Sequence, residues 1–180
     1  MKKITLFTAV IIVCFAVNIN AQSKATVSST ANASLLVAMS LSEASPLNFG
    51  SSLLTSAAGG TIVLHSNSTN RDYTGGVATS AATPAPSAAA FKVVGTKLET
   101  YAVVLPSLVT VWHTSISTGV HTMDINSMTA RFNGAVSNAT TSTLASNGTD
   151  SFTLGATLNV QEDQIGGQYS GTFQVSVDYN

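Results

Sequence analysis

Residues 169–179 read Tyr-Ser-Gly-Thr-Phe-Gln-Val-Ser-Val-Asp-Tyr, and Asn180 closes the chain. In an extended backbone successive side chains point to opposite faces. Tyr169, Gly171, Phe173, Val175, Val177 and Tyr179 would then share one face, and Ser170, Thr172, Gln174, Ser176 and Asp178 the other. A helix would scatter the same residues around its axis, because its period is 3.6. The chain therefore ends in a strand with one apolar side, which has to be covered by something.

Working back from that end, short apolar runs recur with the same period, separated by Gly, Asn, Ser and Pro. Candidate strands lie at 61–65, 91–95, 100–105, 123–125, 128–132, 151–154 and 156–160. Residues 81–89, with Pro84 and Pro86, read as a loop, and Glu162-Asp163 as a turn before Gly166-Gly167. No window carries a convincing helical stripe. Eight or nine strands in one domain predict an all-β fold, an immunoglobulin-like β-sandwich over residues 35–180.

The alternation is longest where the chain emerges from its first, apolar stretch. Ala25, Val27, Ala31, Ala33, Leu35, Val37, Met39 and Leu41 share a face that only Ser29 interrupts. A strand of this length would span roughly 55 Å at about 3.3 Å per residue, whereas ordinary strands hold about 5–6 residues. One small domain cannot easily cover it all. Residues 22–34 are expected to leave the fold as an extension whose apolar face needs a partner elsewhere. Two strands joined by an unmarked turn, or a frayed terminus, are the alternatives; a helix over 32–44 conflicts with the period continuing upstream.

Ahead of this extension, Lys2 and Lys3 precede an apolar run over 4–17, and a polar break ends in Ala21. This run is too short and wrongly flanked for a membrane span and has the anatomy of a cleavable secretory signal over residues 1–21. The expectation is an exported protein, in the periplasm in transit and then at the cell surface or outside the cell. Cys14 falls inside the run, so cleavage leaves no cysteine for a disulfide, a thiol nucleophile or a thiolate metal site.

Beyond Ala21, five Lys or Arg stand against eight Asp or Glu, a formal net charge of −3. Charged residues make up only 8% of the whole chain, against roughly 25% in typical soluble domains. With no basic cluster, the chain offers nothing to nucleic acid or to anionic lipid.

The residues able to do chemistry do not assemble into a catalytic pattern. His65, His113 and His121 lack tight spacing to one another, so no metal site is expected. The chain has no G-x-S-x-G elbow. Glu162 and Asp163 are neighbours and would point apart in a strand, unlike paired glycosidase carboxylates. Asn67, Asn70 and Asp72 lack the ordered carboxylates of a calcium loop and read as a hairpin loop. Trp112 could stack on a sugar ring, or serve as a core or rim residue. No catalytic residue and no cofactor is expected.

Several phrases, in order, resemble a bacterial family catalogued as domain of unknown function 4402. They are Ser45-Pro46-Leu47-Asn48-Phe49-Gly50, Gly59-Gly60-Thr61-Ile62-Val63, Gly75-Gly76-Val77, Ala90-Phe91-Lys92-Val93-Val94-Gly95, the segment 101–106, Gly155-Ala156-Thr157-Leu158 and the segment 167–179. More distantly the chain is similar to archaic chaperone-usher pilus subunits. That resemblance implies a sandwich missing one strand, completed by an N-terminal extension donated from the next subunit. It also implies a periplasmic chaperone and an outer-membrane usher as partners. Pilus subunits handled by such chaperones typically carry a penultimate tyrosine and a glycine fourteen residues from the end. Here those positions hold Tyr179 and Gly167. Many pilins carry a cysteine pair, which this chain lacks.

The leading expectation is thus a non-enzymatic subunit of a surface filament or adhesive assembly, polymerising with copies of itself or related subunits. Ala25, Val27, Ala31 and Ala33 would be the donor side chains. Gly167, Phe173, Val175, Val177 and Tyr179 would border the acceptor groove and the chaperone-binding strand. The alternative is a monomeric secreted carbohydrate-binding or adhesive module using Trp112. A membrane β-barrel would show aromatic girdles, for which ten aromatics beyond Ala21 are too few.

Overall fold

The computed structural model describes residues 24–81, 83–116 and 121–180. The leader expected at 1–21 lies outside them. Residues 24–34 carry no secondary structure and are exposed; Leu35–Asn180 form a compact unit of their own. Among the described residues there are thirteen strands and no helix, arranged as a β-sandwich.

The spine is β11 (Thr149–Val160), whose Phe152, Leu154, Ala156 and Leu158 are buried at period two. One of its edges pairs with β9 (Thr122–Phe132). Its other edge is shared: β6 (Ala89–Val94) pairs with residues 149–154, and β3 (Gly60–Leu64) with residues 156–160. Beyond β6 lies β1 (Ser40–Ser45), and beyond β3 lies β4 (Arg71–Gly75). On the far side, β9 pairs with β8 (Leu108–His113), which pairs with the short β12 (Tyr169–Ser170).

A second layer is made by β10 (Thr141–Thr143), β7 (Thr100–Val104) and β13 (Ser176–Tyr179), in that order across the sheet. Tyr101 and Val103 of β7 join Phe91, Val93, Ala130, Phe132, Phe152 and Leu154 of the large sheet in one apolar cluster. Phe152 anchors it, stacking on Phe91 at 5.1 Å and meeting Phe132 edge-on at 5.7 Å. A second cluster covers the other half of the spine, where Ile62, Val109, Val111, Met123, Ile125, Ala156 and Leu158 meet Val77. Val77 belongs to β5 (Val77–Thr79), which pairs with β2 (Ser52–Leu54) in a two-stranded sheet.

Two junctions explain how one long strand serves both clusters. At Gly155, where β6 hands over to β3, a Cβ would run into the Leu64 carbonyl and the Ser66 amide. Only glycine lets the turn after β3 approach so closely. Opposite it, Gly155 pairs with Thr129 and Thr157 with Asn126, so Ser127 and Met128 share the place facing Ala156. This bulge lets both the odd-numbered Met123 and Ile125 and the even-numbered Ala130 and Phe132 face inward.

The segment Ser45 to Gly50 is held from three sides. Asn48 exchanges both backbone hydrogen bonds with Ser87, and its Oδ1 accepts from the Gly50 amide at 2.8 Å. The Arg71 guanidinium donates to the carbonyls of Phe49 and Ser51 at 2.6 and 2.8 Å.

The strand pattern expected from the sequence is corrected in three places. The alternation of residues 25–41 becomes strand only from Ser40; residues 24–39 carry no secondary structure. The pairs 123–125 with 128–132, and 151–154 with 156–160, are each one continuous strand. The terminal strand is interrupted: residues 171–175 cross unpaired from β12 in the large sheet to β13 in the small one.

Candidate functional site

The two layers do not close on each other along one side. There β1 ends the large sheet and β13 ends the small one, each with a strand neighbour on one edge only among the described residues. Between them lies a groove of about 650 Å³. Leu41 and Phe91 form its wall on the large sheet, and Val104, Leu105, Phe173 and Val175 its wall on the other. Val104 is 54% exposed. The polar rim includes Glu43, Gln174 and Ser176. Glu43 pairs with Phe91, so it shares the inward face of the strand. An inward charge on an edge strand discourages indiscriminate strand pairing. A register irregularity between Glu43 and Ser45 adds to that protection.

The terminal segment shows the alternation expected of it: Phe173, Val175, Val177 and Tyr179 are half-buried, while the residues between them are exposed. Phe173 and Val175 line the groove. Val177 packs against the aromatic cluster. Tyr179 fastens one end of the gap: its hydroxyl accepts from the Thr96 amide at 2.6 Å and donates to the Val37 carbonyl at 2.6 Å. The Val37 amide in turn donates to Thr96 Oγ1 at 2.6 Å. A side chain at Gly95 would meet the Tyr179 hydroxyl, so the glycine that ends the 90–95 phrase makes room for the penultimate tyrosine.

Gly167 is placed elsewhere. It is not among the residues lining the groove and lies in the loop before β12, where a Cβ would meet the His113 ring. The structure therefore does not bring Gly167 together with Phe173, Val175 and Tyr179.

Of the four residues expected as donors, Ala25, Val27, Ala31 and Ala33, all are exposed, Val27 at 94%. Leu41, Phe91, Val104 and Leu105 were not singled out as groove residues by the sequence. Their signal was present but ambiguous, since an apolar residue in a strand reads as core until an edge is known.

The remaining candidates are dispersed. Trp112 is 58% exposed on β8, facing Ser170 of β12 across the ladder. His65 Nε2 is 2.8 Å from Asp72 Oδ2. His113 meets Tyr169 edge-on at 5.0 Å, and the carbonyl of His121 accepts from the His113 amide. Among the described residues no three His, Cys, Asp or Glu side chains converge as a metal site, and no helix is long and apolar enough to cross a membrane.

The family model described as "Domain of unknown function (DUF4402)" matches residues 39–179. Comparison with curated proteins and with solved structures gives no match. The chain belongs to the DUF4402 family. The matched span opens one residue before β1 and closes on Tyr179, so both walls of the groove lie inside it.

Proposed function

We propose that the chain is an exported, non-enzymatic structural subunit of a surface filament or pilus-like adhesive assembly. Its sandwich is of the immunoglobulin-like, pilin-like kind with one strand lacking. The observation that carries this reading is the open apolar groove between two edge strands, in a chain whose exposed residues 24–34 alternate apolar and polar.

A strand laid in the groove would bond to the outer edge of β1, of β13, or of both. Backbone hydrogen bonds supply affinity in such strand addition, and alternate side chains supply register. In this reading Ala25, Val27, Ala31 and Ala33 of one copy enter the groove of the next. Phe173, Val175 and Leu41 receive them. The mobile donor end would arise when the leader is removed after export, and a periplasmic chaperone and an outer-membrane usher would handle the open groove in transit.

Deleting residues 22–34 should abolish heat-sensitive multimers on unboiled gels while leaving a folded monomer. Multimers that persist at wild-type abundance after the deletion would refute the reading. The exposure of Trp112 on a sheet face favours a second one, a monomeric carbohydrate-binding module. A Trp112→Ala variant that loses signal on a glycan array, in a chain that never multimerises, would select it.

A further inference from the structure

The fork where β6 and β3 part along β11 opens a second depression, of about 280 Å³, and its walls are polar. Arg131 of β9 lines it together with Asn138, and is held in place by two hydrogen bonds. Its Nε donates to Asn138 Oδ1 at 3.1 Å and its Nη1 to the Val136 carbonyl at 3.0 Å. Asn138 Oδ1 also accepts from the hydroxyl of Ser66, the one polar side chain among the buried residues described, at 2.8 Å. A guanidinium has five N–H donors in a planar fork. Two are engaged here, so three have no protein acceptor among the described residues.

The bulge described above shapes the same depression. It puts Ser127 on the wall with φ +50°, a left-handed conformation uncommon outside glycine. Bulges and left-handed non-glycine residues concentrate where a fold re-aims side chains toward a site. Thr129 lines the depression one step along, and His65, its ring fixed by Asp72, closes the β3 side.

We infer that this depression is a binding site for a single acidic sugar residue, its carboxylate on Arg131 and its hydroxyls on Ser127, Thr129 and neighbouring groups. One cation with a planar fork matches one carboxylate. It is too little charge for a polyphosphate or a nucleic-acid backbone, which need clustered cations. Hydroxyl and amide walls both donate and accept, as the vicinal hydroxyls of a sugar require. The site shares no lining residue with the groove and rests on none of its argument.

Titration of the ¹⁵N-labelled chain tests it, with N-acetylneuraminate and glucuronate as acidic probes, methyl glucoside as the neutral one and sodium sulfate as the bare anion. At least one acidic sugar should shift the amides of Ser66, Ser127 and Thr129, at least tenfold more tightly than methyl glucoside or sulfate. Arg131→Gln should weaken it at least tenfold. Because that change also frees Asn138, Thr129→Val provides a second variant that leaves the Arg131 scaffold intact; it should weaken binding several-fold with the rest of the spectrum unchanged. No shift with either acid, equal affinity for sulfate or methyl glucoside, or unchanged binding in both variants would overturn the inference.

Discussion

Tyr101 is wholly buried between the two sheets, and its hydroxyl donates to Asp150 Oδ2 at 2.9 Å. The same oxygen accepts from Ser142 at 2.7 Å, so β7, β10 and β11 meet at one carboxylate. Tyrosine ordinarily titrates near 10. Burial, and then the accepting carboxylate of Asp150, push the Tyr101 hydroxyl well above that value. Above about pH 10 the unfolded chain therefore releases a proton that the folded chain keeps, and stability falls as pH rises. The contribution is fully present below about pH 10, the ordinary tyrosine value, and is lost as pH climbs toward the raised one. Tyr101→Phe removes a hydrogen bond to a charged acceptor, which should destabilise the fold by about 1.5–3 kcal/mol at neutral pH. It should also flatten the alkaline fall, as read from urea midpoints between pH 7 and 11. Parallel pH curves for the two proteins would show that Tyr101 is not the group responsible.

The elements show where sequence reading succeeds and where it stops. Period-two alternation located the cores of β3, β6, β7, β9 and β11, because burial on one face leaves its mark directly in the sequence. The same signal broke β9 in two, since the inward face changes parity between Ile125 and Met128 and a bulge looks like a turn when no partner strand is in view. It broke β11 at Gly155 for a related reason: the glycine there accommodates the backbone after β3 and does not end a strand. Strands such as β4 and β10, rich in Thr, Ser and Asp, carry too few apolar residues for any period to show. Of the groove, the terminal wall was legible as an alternating face, but its pairing with Leu41 and Phe91 depends on which strands are edges, and edges are set by topology. That dependence yields a prediction for the crossing segment 171–175. Val175 lines the groove beside Phe173 and belongs to no ladder. Val175 also packs against the aromatic cluster. Val175→Asp should therefore lower the melting temperature of the monomer while preserving its strand content by far-ultraviolet circular dichroism, and reduce multimers at least tenfold, because a carboxylate cannot enter an apolar interface unpaired. Wild-type multimers in this variant would remove the groove from the assembly path.

At the scale of the whole molecule, an open groove is an unfinished core. Leu41, Phe91, Val104 and Phe173 all border it, and no side chain among the described residues of 35–180 fills it. Any segment that binds the folded state and not the unfolded one stabilises the fold by RT ln(1 + [L]/Kd), about 2.7 kcal/mol at a hundredfold excess over Kd. If the proposed donor belongs there, a synthetic peptide of residues 23–35, added to a chain lacking residues 22–34, should raise its melting temperature. For a domain of this size each kcal/mol moves the midpoint by about 2–4 °C, so the rise at that excess should be about 5–10 °C. The composition of the segment ranks its side chains. Burying a valine contributes about 1.5–3 kcal/mol, whereas an alanine has far less area to remove from water. Val27 should accordingly dominate over Ala25, Ala31 and Ala33, and a Val27→Asp peptide should give no shift at the same concentration. Ser29 interrupts the apolar face, so replacing it by valine tests whether the groove is continuous: a further rise means a pocket lies opposite Ser29, and an unchanged midpoint means the wall there is polar, as Glu43 and Gln174 on the rim would make it. A melting temperature unmoved by the wild-type peptide at any concentration would leave the groove without its proposed occupant.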